Sequence, residues 1–147
     1  IQLFLKNIIP DKINAISVSM EICSEAPWYN ENWKSDIFFE INGKEVCLWT
    51  APGDFGSRRG LLTPEWWKDG TQYGLIKYLK VAKDGTYLDG ERISSVNLKD
   101  LNLEENPIAT LKFGVKENAK NRGGMNLFGH KFGDHNQHIL FTVTYNE

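Results

Sequence analysis

Apolar and polar positions alternate with a period of two in one segment of this chain after another, the spacing of strands and not of helices. Ile16, Val18, Met20 and Ile22 alternate with Ser17, Ser19, Glu21 and Cys23, which predicts a half-buried strand with Glu21 on its polar side. Ile37, Phe39 and Ile41 alternate with Phe38 and Glu40; Asn42-Gly43 follows, and then Val46 and Leu48 alternate with Cys47 and Trp49. That stretch predicts a β-hairpin, because a two-residue type I′ turn needs positive φ at both central residues and Asn-Gly supplies it. Ile1, Leu3 and Leu5 open an earlier strand-like run that stops at Pro10, which has no ladder donor. Further strands are expected over residues 72–81, 86–88, 93–98, 107–117 and 139–145, punctuated by Asp69-Gly70, Asp84-Gly85 and Asp89-Gly90. Thr63 as N-cap, Pro64 and Glu65 predict a single helical turn.

No segment sustains a 3.6-residue period, nothing repeats internally and nothing is low in complexity. Eight or nine short strands of this kind imply an all-β fold: an antiparallel β-sandwich, jelly-roll-like, of the galactose-binding or carbohydrate-binding-module kind, with one or two single-turn helices. Residues 1–147 are read as one such domain, a length that buries roughly 68 to 70% of its unfolded surface. Without helices, this stretch has no place for a helix-turn-helix, so any DNA contact would need another domain.

Charge and cysteine content narrow the class. A net charge of −2 and a pI near 6.0 argue against a duplex-binding surface, which needs clustered Lys and Arg. The one basic run, residues 112–122, is broken by Glu117 and reads as a solvated strand end and loop. Cys23 and Cys47 lack CxxC spacing and sit in strand-like runs, so two free buried thiols are expected over one disulfide. No stretch approaches the ~18 apolar residues of a membrane span, and the protein reads as soluble and cytoplasmic. A strand-like run starting at Ile1 suggests an excised domain whose upstream part is missing.

Candidate chemistry lies in three polar stretches, residues 24–36, 51–67 and 118–138, which cluster in space if they occupy one end of a sandwich. They combine carboxylates (Glu25, Asp36, Asp54, Asp134), planar donors (Arg58, Arg59, Asn126) and aromatic faces (Trp28, Trp33, Trp66, Trp67, Phe132). Polyhydroxylated ligands call for this mixture: ring C–H faces stack on indoles while carboxylates and guanidinium groups hold vicinal hydroxyls. The ligand-binding candidates are Glu21, Glu25, Trp33, Asp36, Asp54, Arg58, Arg59, Trp66, Trp67, Asn126, His130 and Asp134. Against this stands the plainer possibility that the tryptophans pack core edges and the Arg–Asp pairs staple loops. His130, Asp134, His135 and His138 fit no standard zinc spacing, so no metal and no cofactor is assigned. GxSxG and HExxH are absent, and Gly123-Gly124 lacks the Lys-Ser/Thr and the helix of a phosphate loop, so it is read as tight loop geometry. Glu21 or Glu25 with Asp134 is the one carboxylate pairing a glycosidase would use, and its separation is invisible in sequence.

The strings MEICSEAPWYNENWKSDI, INGKEV, WTAPGDFGSRRGLLTPEWW, TQYGL, GTYLDGERIS and GGMNLFGHKFGDH resemble the C-terminal domain that follows an ArsR-type winged-helix region in certain bacterial transcription regulators. The resemblance runs from about Ile16 to Ile139. Gly56-Ser57 replaces an expected Gly-Gly, and Cys47 stands where a Gly is usual. The resemblance implies a regulator that reads DNA only through a missing N-terminal domain, with this sandwich as its sensor or effector portion. No ligand, catalytic residue or metal-thiolate site carries over with it. Three functions therefore stay open: a non-catalytic module for a sugar or polyol-like small molecule, a carbohydrate-active jelly-roll enzyme domain, and a homodimerisation module with no small ligand.

Overall fold

Ile16, Val18, Met20 and Ile22 are all buried and face the interior, and the strand they form, β2 (Ile13–Cys23), is the longest in the molecule. The computed structural model describes residues 1–6, 8–105 and 108–146. Its other strands are β1 (Gln2–Leu5), β3 (Ser35–Ile41), β4 (Lys44–Ala51), β5 (Leu75–Ala82), β6 (Gly85–Leu88), β7 (Glu91–Ser94), β8 (Ala109–Val115), β9 (Asn126–Leu127) and β10 (Leu140–Tyr145). They form two antiparallel sheets, ordered β1-β8-β3-β4 and β10-β2-β5-β6-β7, with β9 also pairing β2. The protein is thus an all-β sandwich, as the alternation predicts. Among the described residues no helix is long and apolar enough to cross a membrane.

The hairpin forms as read. Ile41 pairs with Lys44 across Asn42 and Gly43, which take φ of 52° and 78°. Asn42 also accepts from the Thr110 N–H at 2.8 Å and donates to the Leu101 carbonyl at 2.8 Å, so the turn residue ties its own hairpin to the neighbouring strand. Between the sheets, Phe39 and Phe113 stack with centroids 5.7 Å apart, amid Ile37, Ile41, Val46, Leu79, Val81 and Leu111.

Several expectations shift. The signal at Thr63 gives a turn closed by Trp67 N–H to Pro64 carbonyl at 3.0 Å, and no helical turn. The reason is that the Thr63 oxygen, the acceptor a cap needs, takes the Gly133 N–H at 3.0 Å while its hydroxyl proton goes to the Gln72 carbonyl at 2.5 Å. The two single-turn 3₁₀ helices lie elsewhere, at Pro10–Lys12 and Leu98–Leu101; the second is closed by an Asn97 capping box and displaces the strand expected to run to residue 98. The strand expected from residue 72 starts at Leu75, since the N–H groups of Gln72 and Tyr73 turn to the Phe55 carbonyl. The expected strand start at Pro107 lies outside the described residues. The loop over 118–138 contains β9, which extends the β2 edge that β10 pairs with. β2 is buried on both faces, not half-buried, because loops cover its outer side near Glu21 and Cys23.

Cys23 and Cys47 are both free and buried. Burial pushes each thiol up to about 12, which leaves little reactive thiolate.

Phe113→Ala removes half of the stacked pair from a site that is 1% exposed. Equilibrium denaturant unfolding should show a loss of about 3 to 5 kcal/mol; a loss under about 1 kcal/mol would mean that this pair does not anchor the core.

Candidate functional site

All three polar stretches emerge at the same end of the sandwich, and main-chain hydrogen bonds stitch them together. Ser24 N–H reaches the Gly53 carbonyl at 3.2 Å, Glu25 N–H the Gly123 carbonyl at 2.9 Å, Asp54 N–H the Asn30 carbonyl at 2.9 Å, and Leu62 N–H the Gly133 carbonyl at 2.8 Å. Residues 133–135 cover the outer face of the second sheet at Glu21, while Asn121 bonds Asp36 on β3 of the first sheet. The carboxylate of Glu21 is the fastening beneath residues 133–135.

Glu21 is fully buried. Its carboxylate accepts from the N–H groups of Gly74 at 2.8 Å, Asp134 at 2.9 Å and His135 at 2.8 Å. Gly133, at φ 76°, passes so close that a Cβ there would lie 2.3 Å from the same carboxylate; glycine is required by both the turn and the approach. The sequence places Glu21 on a polar face among ligand candidates, and the structure corrects this: its oxygens are occupied by the fold and closed to solvent.

Other candidates are likewise engaged within the protein. Asp36 is buried and accepts from the Thr50 hydroxyl at 2.7 Å and from the Asn121 N–H at 2.9 Å. The Asn121 N–H above all holds its carboxyl below the usual range. Arg58 makes a bidentate pair with Asp134, at 2.6 and 3.1 Å, and lies 3.6 Å above the Tyr73 ring. The Arg58 guanidinium lowers the Asp134 carboxyl, and Asp134 in turn raises Arg58. Arg59, although exposed, donates to the carbonyls of Thr63, Pro64 and Trp67, which fixes the turn. Trp33 donates its indole N–H to the Gly123 carbonyl at 3.1 Å. His130 bonds Asn136 at 3.0 Å and packs edge-on against His138, at 4.1 Å between centroids. Among the described residues no group of three His, Cys, Asp or Glu is placed to hold a metal ion. Glu25 is exposed.

Among the described residues a cleft of about 400 Å³ is open, lined by Trp67, Thr71, Asn126, Leu127, Phe128, Gly129 and Phe132, and a smaller one of about 250 Å³ is lined by the charged Arg59, Glu65 and Lys68. Trp67 is held by its indole N–H on the Thr71 carbonyl at 2.8 Å, and Phe132 meets it edge to face at 5.7 Å. Trp66, 73% exposed, stands edge-on to both rings. Asp54 lies behind Asn126 and Thr71, completely buried. It accepts from the Ala26 N–H at 2.9 Å and the Asn126 Nδ2 at 3.4 Å, and its Oδ1 has no partner among the described residues. Burial pushes the Asp54 carboxyl up, while the Ala26 N–H and the Thr71 hydroxyl pull it back. Of the twelve candidates, Trp67 and Asn126 line this cleft, Trp66 flanks it and Asp54 sits beneath it. Thr71, Leu127, Phe128 and Gly129 were missed. Phe128 falls in a segment that reads as tight loop, and only its pairing onto β2 turns it toward the cleft.

Glu21→Gln keeps the side chain's shape but points an NH₂ at buried N–H donors. A loss of about 2 kcal/mol or more is expected, with faster amide exchange at Gly74, Asp134 and His135; unchanged exchange there would exclude the clasp. Asp36 and Asp134 titrate lower folded than unfolded, so their contribution is present above the ordinary carboxylate range near 4 and is lost as pH falls through the folded values. Melting temperature should therefore drop on acidification below about pH 4, and less steeply in Asp36→Asn; an identical slope in that variant would exclude Asp36 as a contributor.

In comparisons with protein-family models, curated proteins and solved structures, the chain matches none.

Proposed function

We propose that this chain is a non-catalytic ligand-binding module whose cleft between Trp67, Phe132 and Phe128 takes a sugar or polyol-like small molecule. In this reading it is the sensor portion of an ArsR-type cytoplasmic regulator, with DNA contacted by a winged-helix domain outside this chain. The observation that supports the reading is the composition of the cleft: three aromatic side chains and a leucine around two neutral polar groups, Asn126 and Thr71. Such a surface stacks the C–H face of a ring and meets its hydroxyls without a fixed charge. Trp66 beside it extends the aromatic surface into solvent.

Binding is favoured over hydrolysis by the state of the carboxylates. Retaining and inverting glycosidases need two carboxyl groups facing a common bond. Here Glu21 is saturated by backbone donors and Asp134 is locked to Arg58. Glu25 is left without a carboxylate partner for that chemistry.

A ligand at 100 times its dissociation constant adds about 2.7 kcal/mol, which for a domain of this size raises the melting temperature by roughly 5 to 10 °C. Screening neutral sugars and polyols by thermal shift should give such a rise, abolished in Trp67→Ala and reduced in Trp66→Ala, with both variants folded. Full retention of the rise in Trp67→Ala would remove this cleft from the site.

A further inference from the structure

The amide of Asn126 has a fixed orientation. Its Nδ2 faces three acceptors: the Ser24 carbonyl at 3.0 Å, the Thr71 hydroxyl oxygen at 3.3 Å and Asp54 Oδ2 at 3.4 Å. Turning the amide over would set its oxygen against the Ser24 carbonyl and the Asp54 carboxylate, so the NH₂ stays inward. The Asn126 oxygen has no partner among the described residues, and it is not one of the buried unsatisfied atoms. Since Asn126 lines the cleft, that oxygen is what the amide presents to an occupant.

We infer that the cleft is a neutral-pyranose subsite in which Asn126 Oδ1 accepts a ring hydroxyl and buried Asp54 acts as the positioning and selectivity residue, excluding anionic sugars. The inference rests on the cleft being the ligand site and names the class of ligand it takes. Two observations carry it besides the amide. First, no lining side chain is titratable, and both nearby guanidinium groups are committed, Arg58 to Asp134 and Arg59 to three carbonyls. A ligand carboxylate or phosphate in the cleft therefore meets no cationic side chain in its walls. Second, Asp54 takes part in none of the ion pairs among the described residues, and the groups that hydrogen-bond it, the Ala26 N–H, the Asn126 amide and the Thr71 hydroxyl, are all neutral. Its carboxyl lies directly behind the floor with no counter-ion beside it, so in its ionised form low dielectric strengthens its repulsion of a second anion.

The same geometry disfavours bidentate reading of an adenine edge, which needs donor and acceptor together from an asparagine, whereas this asparagine offers only the acceptor. A hydroxyl donor on a ring whose C–H face rests on Trp67 satisfies both halves of the cleft.

The test titrates the protein with matched pairs of methyl glycosides, glucoside with glucuronide and galactoside with galacturonide. Binding is read by the indole N–H resonance of Trp67 and by calorimetry. The neutral member of at least one pair should bind ten-fold or more tightly than its acid. Equal binding of the two members overturns this inference while leaving the cleft as the site; binding of neither, with the Trp67 resonance unmoved, overturns both. In Asp54→Asn the neutral-to-acid ratio should fall to within about three-fold, and Asn126→Ser should weaken the neutral member about ten-fold. A ratio unchanged in a folded Asp54→Asn overturns the role of Asp54; should that variant fail to fold, the wild-type ratio and Asn126→Ser decide.

Discussion

A carboxylate on one strand, wholly enclosed and held by three main-chain N–H groups, fixes the end of this molecule that carries the aromatic cleft. Glu21 lies on the face of β2 turned away from the core, where an acidic side chain would ordinarily be in water. Loops arriving from residue 74 and from residues 134–135 remove that water and replace it with backbone donors. A buried charge persists only when its lone pairs are so occupied. The converse holds as well: those loop amides lose their partners without the carboxylate. The loops and the strand are therefore conditions for each other, and the cleft beside them inherits its shape from that dependence.

Much of the fold was legible because its causes are local. The hairpin of β3 and β4 follows from alternation on either side of Asn42-Gly43, and no distant residue is needed to explain its turn. Core positions such as Ile16, Phe39 and Leu111 announce themselves by period. The environment of Glu21 was not legible, since its partners lie 53 and more than 110 positions away and act through backbone atoms, which every residue type carries alike. Arg59 misleads for the same reason: a guanidinium in a Gly-rich loop reads as a ligand group, yet its partners are carbonyls of the next turn. Thr63 carries a genuine capping signal, and tertiary contacts to Gly133 and Gln72 override it.

The cleft illustrates a middle case. Trp66, Trp67 and Asn126 stand out from sequence as polar-loop aromatics and an amide, so half of the surface was visible. Phe128 and Gly129 were not, because their position depends on β9 returning to the same edge of β2 that β10 occupies. A two-residue strand leaves almost no period to read. The orientation of the Asn126 amide belongs to the same category, set by three acceptors drawn from residues 24, 54 and 71.

β9 and β10 run along one edge of β2 with residues 128–139 leaving the sheet between them. Both ends of that excursion are anchored on a common template and its middle is pinned at Gly133, Asp134 and His135 by Glu21, so it is the stretches on either side of that clasp that can change composition without shifting a strand register. The wall bearing Phe128 and Phe132 thus behaves as an interchangeable panel. Diversification of binding preference in proteins of this architecture would be free to proceed there, so long as the amides beneath still meet their acid.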